Sequence, residues 1–182
     1  MAYEVETVSE ELRNIPQHKE FIGYGTDAIF NTVSKMKDII NQSAKNYYVR
    51  RWAEKIIEGL PNGDYLRAKA IYNWISEHVQ YIRDPLGLEM LQTPPLVLQR
   101  IERGEIPVLD CDCMTMLSLS LLKTLGLRVK MRVTGYKPNS RYTHVYGLVN
   151  TKEKGWLPFD LVKRKGLGWE VPSAIIKKDI EA

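Results

Sequence analysis

Residues 111–125, Cys-Asp-Cys-Met-Thr-Met-Leu-Ser-Leu-Ser-Leu-Leu-Lys-Thr-Leu, constrain the fold most, because a helix with this sequence has almost no face that water can cover. Met114, Leu117, Leu121, Leu122 and Leu125 recur at helical spacing, while Met116 and Leu119 carry the apolar surface further round the cylinder. Such a helix has to be wrapped by other elements on most sides. Asp110 is placed to cap its start, and Gly126 to take the left-handed conformation just past its end. At ~1.5 Å per residue it is ~22 Å long, enough to cross the core of a small domain.

The rest of the chain supplies the wrapping. Residues 1–25 carry few periodic apolar positions and contain Pro16, Gly23 and Gly25, as an irregular arm would. Thr26 is placed to cap a helix with Ile29, Val33, Met36 and Ile40 on one stripe. A second helix is expected from Tyr47 to Glu58, ended by Gly59-Leu60-Pro61-Asn62-Gly63, and a third from Tyr65 to about Val79 with Asp64 as its cap. Tyr81 to Pro107 reads as a long connection with four prolines and a short helix at Leu96–Glu102. After Gly126 the period becomes two: Leu127, Val129, Met131 and Val133 alternate with Arg128, Lys130 and Arg132. Further strands are expected at Tyr142–Asn150 and Trp156–Val162, with turns between them. Helices followed by an antiparallel meander make an α+β fold. The expected organisation is an arm and helices over residues 1–63 and a core over 64–182, together one compact domain.

Composition removes several classes. With 44% hydrophobic residues the chain can fill a core without disulfides or a structural metal. The two cysteines, Cys111 and Cys113, stand too close together to staple distant segments, which points to a compartment without structural disulfides. The opening residues are acidic and lack the apolar run of a signal peptide, and no stretch has the roughly 18 apolar residues of a membrane span. The net charge of +4 is scattered, a pattern of solvated faces rather than of a nucleic-acid surface.

Cys111 sits at the first turn of the buried helix, where free N–H groups and the helix dipole favour negative charge. A lowered thiol pKa and an oxyanion donor in the Cys111 N–H are both expected there. Asp110 and Asp112 oppose thiolate formation, so a neighbouring cation is required. Cys113 competes for the same role, but two residues along a helix is ~200° of rotation, and only one of the pair can face a given cleft. His144, in the strand Tyr142-Thr143-His144-Val145-Tyr146, can supply the cation; His18 and His78 lie in less suitable contexts. A hairpin whose loop is Thr151–Glu153 pairs Asn150 with Lys154 and sets His144 directly opposite Asp160, with Cβ atoms about 4.5–5.5 Å apart. Asp160 is then the acid that orients the imidazole.

These residues resemble the transglutaminase-like superfamily. Ala68-Lys-Ala-Ile-Tyr-Asn-Trp-Ile-Ser-Glu-His-Val-Gln-Tyr-Ile82 is similar to the helix that precedes its nucleophile. Asp110-Cys111-Asp112, followed by Leu125-Gly126-Leu127, is similar to its nucleophile helix, and His144-Val-Tyr-Gly and Gly155-Trp-Leu-Pro-Phe-Asp160 to its histidine and aspartate signatures. The likeness covers roughly residues 64–162. Leu109 stands where the family usually has Gly, and Cys113 where it has a second Asp.

What the resemblance implies is a papain/transglutaminase-like core, a Cys111–His144–Asp160 triad, and acyl transfer at an amide of a protein or peptide through a thioester. Gln92 is the expected second oxyanion donor. No cofactor and no metal are expected. The version with Asp-Cys-Asp and His-Val-Tyr resembles bacterial and tailed-phage or prophage members more than animal calcium-dependent enzymes, which implies a cytoplasmic location, or a phage virion for a phage-encoded chain. The alternative is a non-catalytic assembly protein, docking through its N-terminal helices.

Overall fold

The structure, a computed structural model of the chain, describes residues 18–20, 26–83, 89–138 and 142–182. Its centre is the apolar helix α5 (Cys111–Thr124), in which every residue from Cys113 to Leu122 is buried. Gly126 follows with φ +82, ending the helix in the left-handed conformation that glycine adopts without steric cost. Helices α1 (Thr26–Ser43), α2 (Tyr47–Ile56), α3 (Asp64–His78) and α4 (Pro94–Glu102) pack against α5. Val33, Met36, Ile40, Val49, Ala53, Ala68, Ile71, Tyr72 and Ile75 join it in one core, as their spacing predicts. The side chains of Thr26 and Ile29 lie outside the described residues.

The other part of the wrapping is a four-stranded antiparallel sheet in the order β7-β6-β5-β8. Its strands are β5 (Arg128–Gly135), β6 (His144–Thr151), β7 (Gly155–Phe159) and β8 (Ile176–Glu181). Strand β6 lies so close to α5 that a Cβ on Gly147 would stand 2.7 Å from Cδ2 of Leu119. That close approach fixes the height of the strand bearing His144 over the helix bearing Cys111.

The structure corrects several expectations. Within the arm, His18–Glu20 forms strand β1, paired antiparallel with β3 (Glu89–Leu91); the rest of residues 1–25 lies outside the described residues. The long connection also contains β2 (Gln80–Tyr81), paired in parallel with β4 (Val108–Leu109), and its helix begins at Pro94 rather than Leu96. Strands of two or three residues are too short to show a period. Asp64 does not cap α3: the cap residue is Gly63, which offers no side chain. Glu153, from the β6–β7 turn, accepts the Asp64 and Tyr65 N–H groups at 2.8 and 3.1 Å, while Asp64 accepts from the Lys152 N–H at 3.2 Å. A cap supplied from some 90 residues away cannot be read from local sequence.

The hairpin register also differs. Asn150 pairs with Trp156 and Thr151 with Gly155, not Asn150 with Lys154. Gly155 takes φ +67 and closes the loop, leaving residues 152–154 as the turn. The Thr151 hydroxyl reinforces it by accepting the Lys154 N–H at 3.1 Å. Carried one step past its last pair, Gly147 with Phe159, this register sets Asp160 level with Tyr146. His144 is then the diagonal neighbour. Because the offset is two residues, the side-chain face is preserved.

Candidate active site

Cys111 occupies the first position of α5, behind an N-cap Asp110 whose Oδ1 accepts the Cys113 N–H at 2.9 Å. The first helical N–H groups have no partner within the helix, so that of Cys111 is available to an incoming oxygen. The two cysteines diverge as helical rotation requires. Cys111 is partly exposed, whereas Cys113 is 1% exposed and its sulfur receives the Gln92 N–H at 3.2 Å.

The expectation of a thiol acidified by the helix dipole is not met. Burial, then the charges of Asp112 and Asp110, push the Cys111 thiol well above its ordinary value of 9.0. Opposing them, the backbone N–H of Val145 favours charge on the sulfur. Desolvation and two adjacent carboxylates outweigh a half-charge dipole. The resting group is a neutral thiol whose S–H points to Asp112 Oδ1 at 3.4 Å.

His144 begins β6, and its Nε2 lies 3.0 Å from Oδ2 of Asp160. Asp160 is fully buried, and its second oxygen, Oδ1, accepts the Val162 N–H at 3.0 Å. Diagonal cross-strand neighbours are within reach of a ring and a carboxylate, which explains how the pair survives the shifted register. The support behind the acid leaves no local signal in the sequence. Tyr72, on α3, donates its hydroxyl to the Asp160 carbonyl at 3.1 Å and accepts the Gly166 N–H at 3.1 Å. Tyr72 also packs, its ring edge-on against Phe159 with centroids 5.2 Å apart.

A narrow crevice without room for a water molecule is lined by both Cys111 and Asp160, while His144 is not among the residues lining it. Cys111, Thr115, Val145, Tyr146 and Asp160 are among its lining residues. Beside the thiol stands Tyr81, whose phenol is raised by burial and by the neighbouring Cys111 and lowered by Arg83. Its position in β2, paired with Leu109, is what brings it there.

Gln92 does not fill the role expected of it. Its amide Nε2 donates to the Val108 carbonyl at 3.0 Å, its Oε1 accepts from Arg100 at 2.9 Å, and its backbone N–H serves Cys113. His78 is committed to its own helix, with Nδ1 2.8 Å from the Trp74 carbonyl and its ring stacked on Trp74. Asp110, Cys111 and Asp112 bring ligand-type atoms within 4.8 Å of one another, but they are consecutive residues and the Asp110 carboxylate is the helix cap. Among the described residues, no helix is long and apolar enough to cross a membrane.

No family model and no curated protein matches the chain. Among solved structures it is similar to a candidate protease from Parabacteroides distasonis, with a TM-score of 0.54 and 10% identity over 71% of this chain and 26% of that one. It also aligns with a candidate cysteine protease from Cytophaga hutchinsonii, with a TM-score of 0.47 and 17% identity over 80% of this chain and 52% of that one. The chain thus spans about a quarter of the first protein and about half of the second. At such identity the first likeness speaks for the mixed helix-and-sheet fold alone.

Proposed function

We propose that this chain is a cysteine-dependent acyl-transfer enzyme acting on amides of proteins or peptides, built on a transglutaminase-like core. The observation that carries the proposal is the His144–Asp160 pair at 3.0 Å, with its acid fully buried and lining the same crevice as the helix-terminal Cys111. Asp160 engages Nε2, which leaves Nδ1 as the nitrogen that exchanges a proton with the thiol. Because the thiol rests neutral, the transfer belongs to the attack itself: the S–H proton passes to Nδ1 as sulfur bonds to the carbonyl carbon. The carbonyl oxygen becomes an oxyanion, received by the Cys111 N–H and the positive end of α5. Collapse expels the amine, which takes the proton from His144 and leaves a thioester on Cys111. Water or a second amine then resolves it, giving hydrolysis or cross-linking.

Two observations favour the alternative, a non-catalytic assembly protein on the same fold. The crevice has no room for a water molecule, and the thiol is disfavoured as an anion. Incubation with a mixed peptide library, read by mass spectrometry, separates the two. The enzyme predicts new termini, deamidated side chains or amine incorporation, all lost in Cys111→Ala and in His144→Ala. A library left unchanged by the wild-type protein, or changed equally by Cys111→Ala, contradicts catalysis.

A further inference from the structure

The likeness to a known core ends near residue 162, yet the twenty residues beyond it reach back to the site, through Gly166 on the Tyr72 hydroxyl and through Glu170 on Tyr146. Tyr146 follows His144 on the same face of β6; their rings lie with centroids 5.4 Å apart and planes inclined by 33°. It is 3% exposed and lines the crevice beside Cys111. A buried phenol needs a partner for its hydroxyl, and here the partner is Oε2 of Glu170.

Glu170 is itself held from two sides. Lys177 Nζ meets its Oε1 at 2.6 Å, and Arg132 Nη1 meets its Oε2 at 3.1 Å. Arg132 stands directly across from Tyr146 on β5 and directly across from Asp179 on β8. It grips Asp179 with two bonds, Nε to Oδ1 at 2.6 Å and Nη2 to Oδ2 at 2.8 Å. The result is one row across the sheet, Asp179–Arg132–Tyr146, with Asp160 level with its far end and Glu170 bridging the phenol to the guanidinium. Paired, bidentate and partly covered charges hold geometry better than isolated surface pairs do.

From this arrangement we infer that Tyr146 is a positioning residue for His144, held in place by Glu170 and Arg132, so that the C-terminal segment carrying Glu170 and β8 forms part of the machinery. Asp160 fixes one nitrogen of the imidazole, and that bond alone leaves the ring free to tilt about it. Tyr146 supplies the second constraint, a wall against the ring, and its own position depends on the hydroxyl anchor. The inference rests on the Cys111–His144–Asp160 proposal, because it assigns a residue that acts through that histidine.

Its test uses iodoacetamide on the full-length protein, with site-resolved mass spectrometry of Cys111 across a pH series. The proteins compared are wild type, His144→Ala, Tyr146→Phe and Glu170→Gln. Each is accompanied by a thermal melt. Tyr146→Phe keeps the ring and removes the anchor, and Glu170→Gln changes a half-buried side chain outside the crevice, so the second variant serves if the first folds poorly. Both are expected to lose about tenfold in the His144-dependent rate, since small displacements of a reacting group cost factors of that order or more. Their pH–rate curves are expected to move toward that of His144→Ala. A filler role would lower the melting temperature without moving the curve. Wild-type curves in Tyr146→Phe and Glu170→Gln, beside a slowed His144→Ala, would overturn this inference and leave the triad standing. A wild-type rate in His144→Ala would overturn both.

Discussion

His144 and Asp160 are joined at 3.0 Å although they are not direct partners in the β6–β7 hairpin, whose register sets Asp160 level with Tyr146. The bond therefore depends on the acid being held from behind, by the Val162 N–H on its carboxylate and by Tyr72 on its carbonyl.

Replacing the acid tests that dependence. Asp160→Asn keeps the shape but removes the charge that stabilises a protonated imidazole. By analogy with triads in general, turnover should fall about a thousandfold or more, with KM little changed. Steady-state kinetics on any peptide substrate found in the library experiment would show it; an unchanged kcat would remove Asp160 from the mechanism.

Tyr72→Phe removes a hydroxyl bonded on both sides. Losing one such buried bond costs about 1 kcal/mol, and leaves the Gly166 N–H without its acceptor. Chemical denaturation should show a small loss of stability together with a lower kcat. A stability loss with no kinetic effect would restrict Tyr72 to packing.

Gly147→Ala addresses the spacing between the helix bearing Cys111 and the strand bearing His144. Its methyl would meet Leu119, itself fully buried, at 2.7 Å. Overpacking of this kind costs about 1–3 kcal/mol, and here it lifts β6 away from α5. The midpoint of urea unfolding should drop, and labelling of Cys111 should depend less on His144.

Stability should fall on the alkaline side. The Cys111 and Cys113 thiols are raised well above 9.0, in both cases chiefly by burial. Burial likewise raises Tyr48 to about 12 and lifts Tyr72, Tyr81 and Tyr146. In the unfolded chain these groups ionise at their ordinary values, so above about pH 9 the unfolded state binds fewer protons than the folded one and stability declines. Below that pH both states are protonated and the contribution is constant. Melting temperatures should hold steady from about pH 7 to pH 8 and fall progressively beyond about pH 9, less steeply in Cys113→Ala once its lower baseline is allowed for. A melting temperature that rises over this range would contradict the burial of these groups.

The apolar stripes of α1, α2, α3 and α5 were legible because a buried helix writes its packing into its own sequence at a fixed period. Gly126 and Asp110 were legible for the same reason: caps are local. The two-residue strands β2 and β4 were not, nor was the Glu153 cap on α3, because each depends on a partner far along the chain. The hairpin register slipped by two because Thr151 looks like a turn residue, whereas the positive φ of Gly155 decides where the turn ends. Strand β8 shows weak alternation, Ile176-Lys-Lys-Asp-Ile-Glu181, because it is an edge strand held by Arg132 as much as by apolar contact. At the site, position suggested an acidified thiol, but burial and two carboxylates reverse the direction. Gln92 does lie against the start of α5, but its N–H meets Cys113 rather than Cys111.

The central claim is that the Cys111 thiol reacts through His144. Exposure alone makes Cys111 label faster than Cys113, so that contrast does not decide the matter. The deciding quantity is the ratio of Cys111 alkylation rates in wild type and His144→Ala near neutral pH, measured site by site on folded protein. The account predicts a ratio of at least about tenfold, the low end of what a positioned general base contributes being larger still, with Cys113 unaffected. A ratio of one would contradict it.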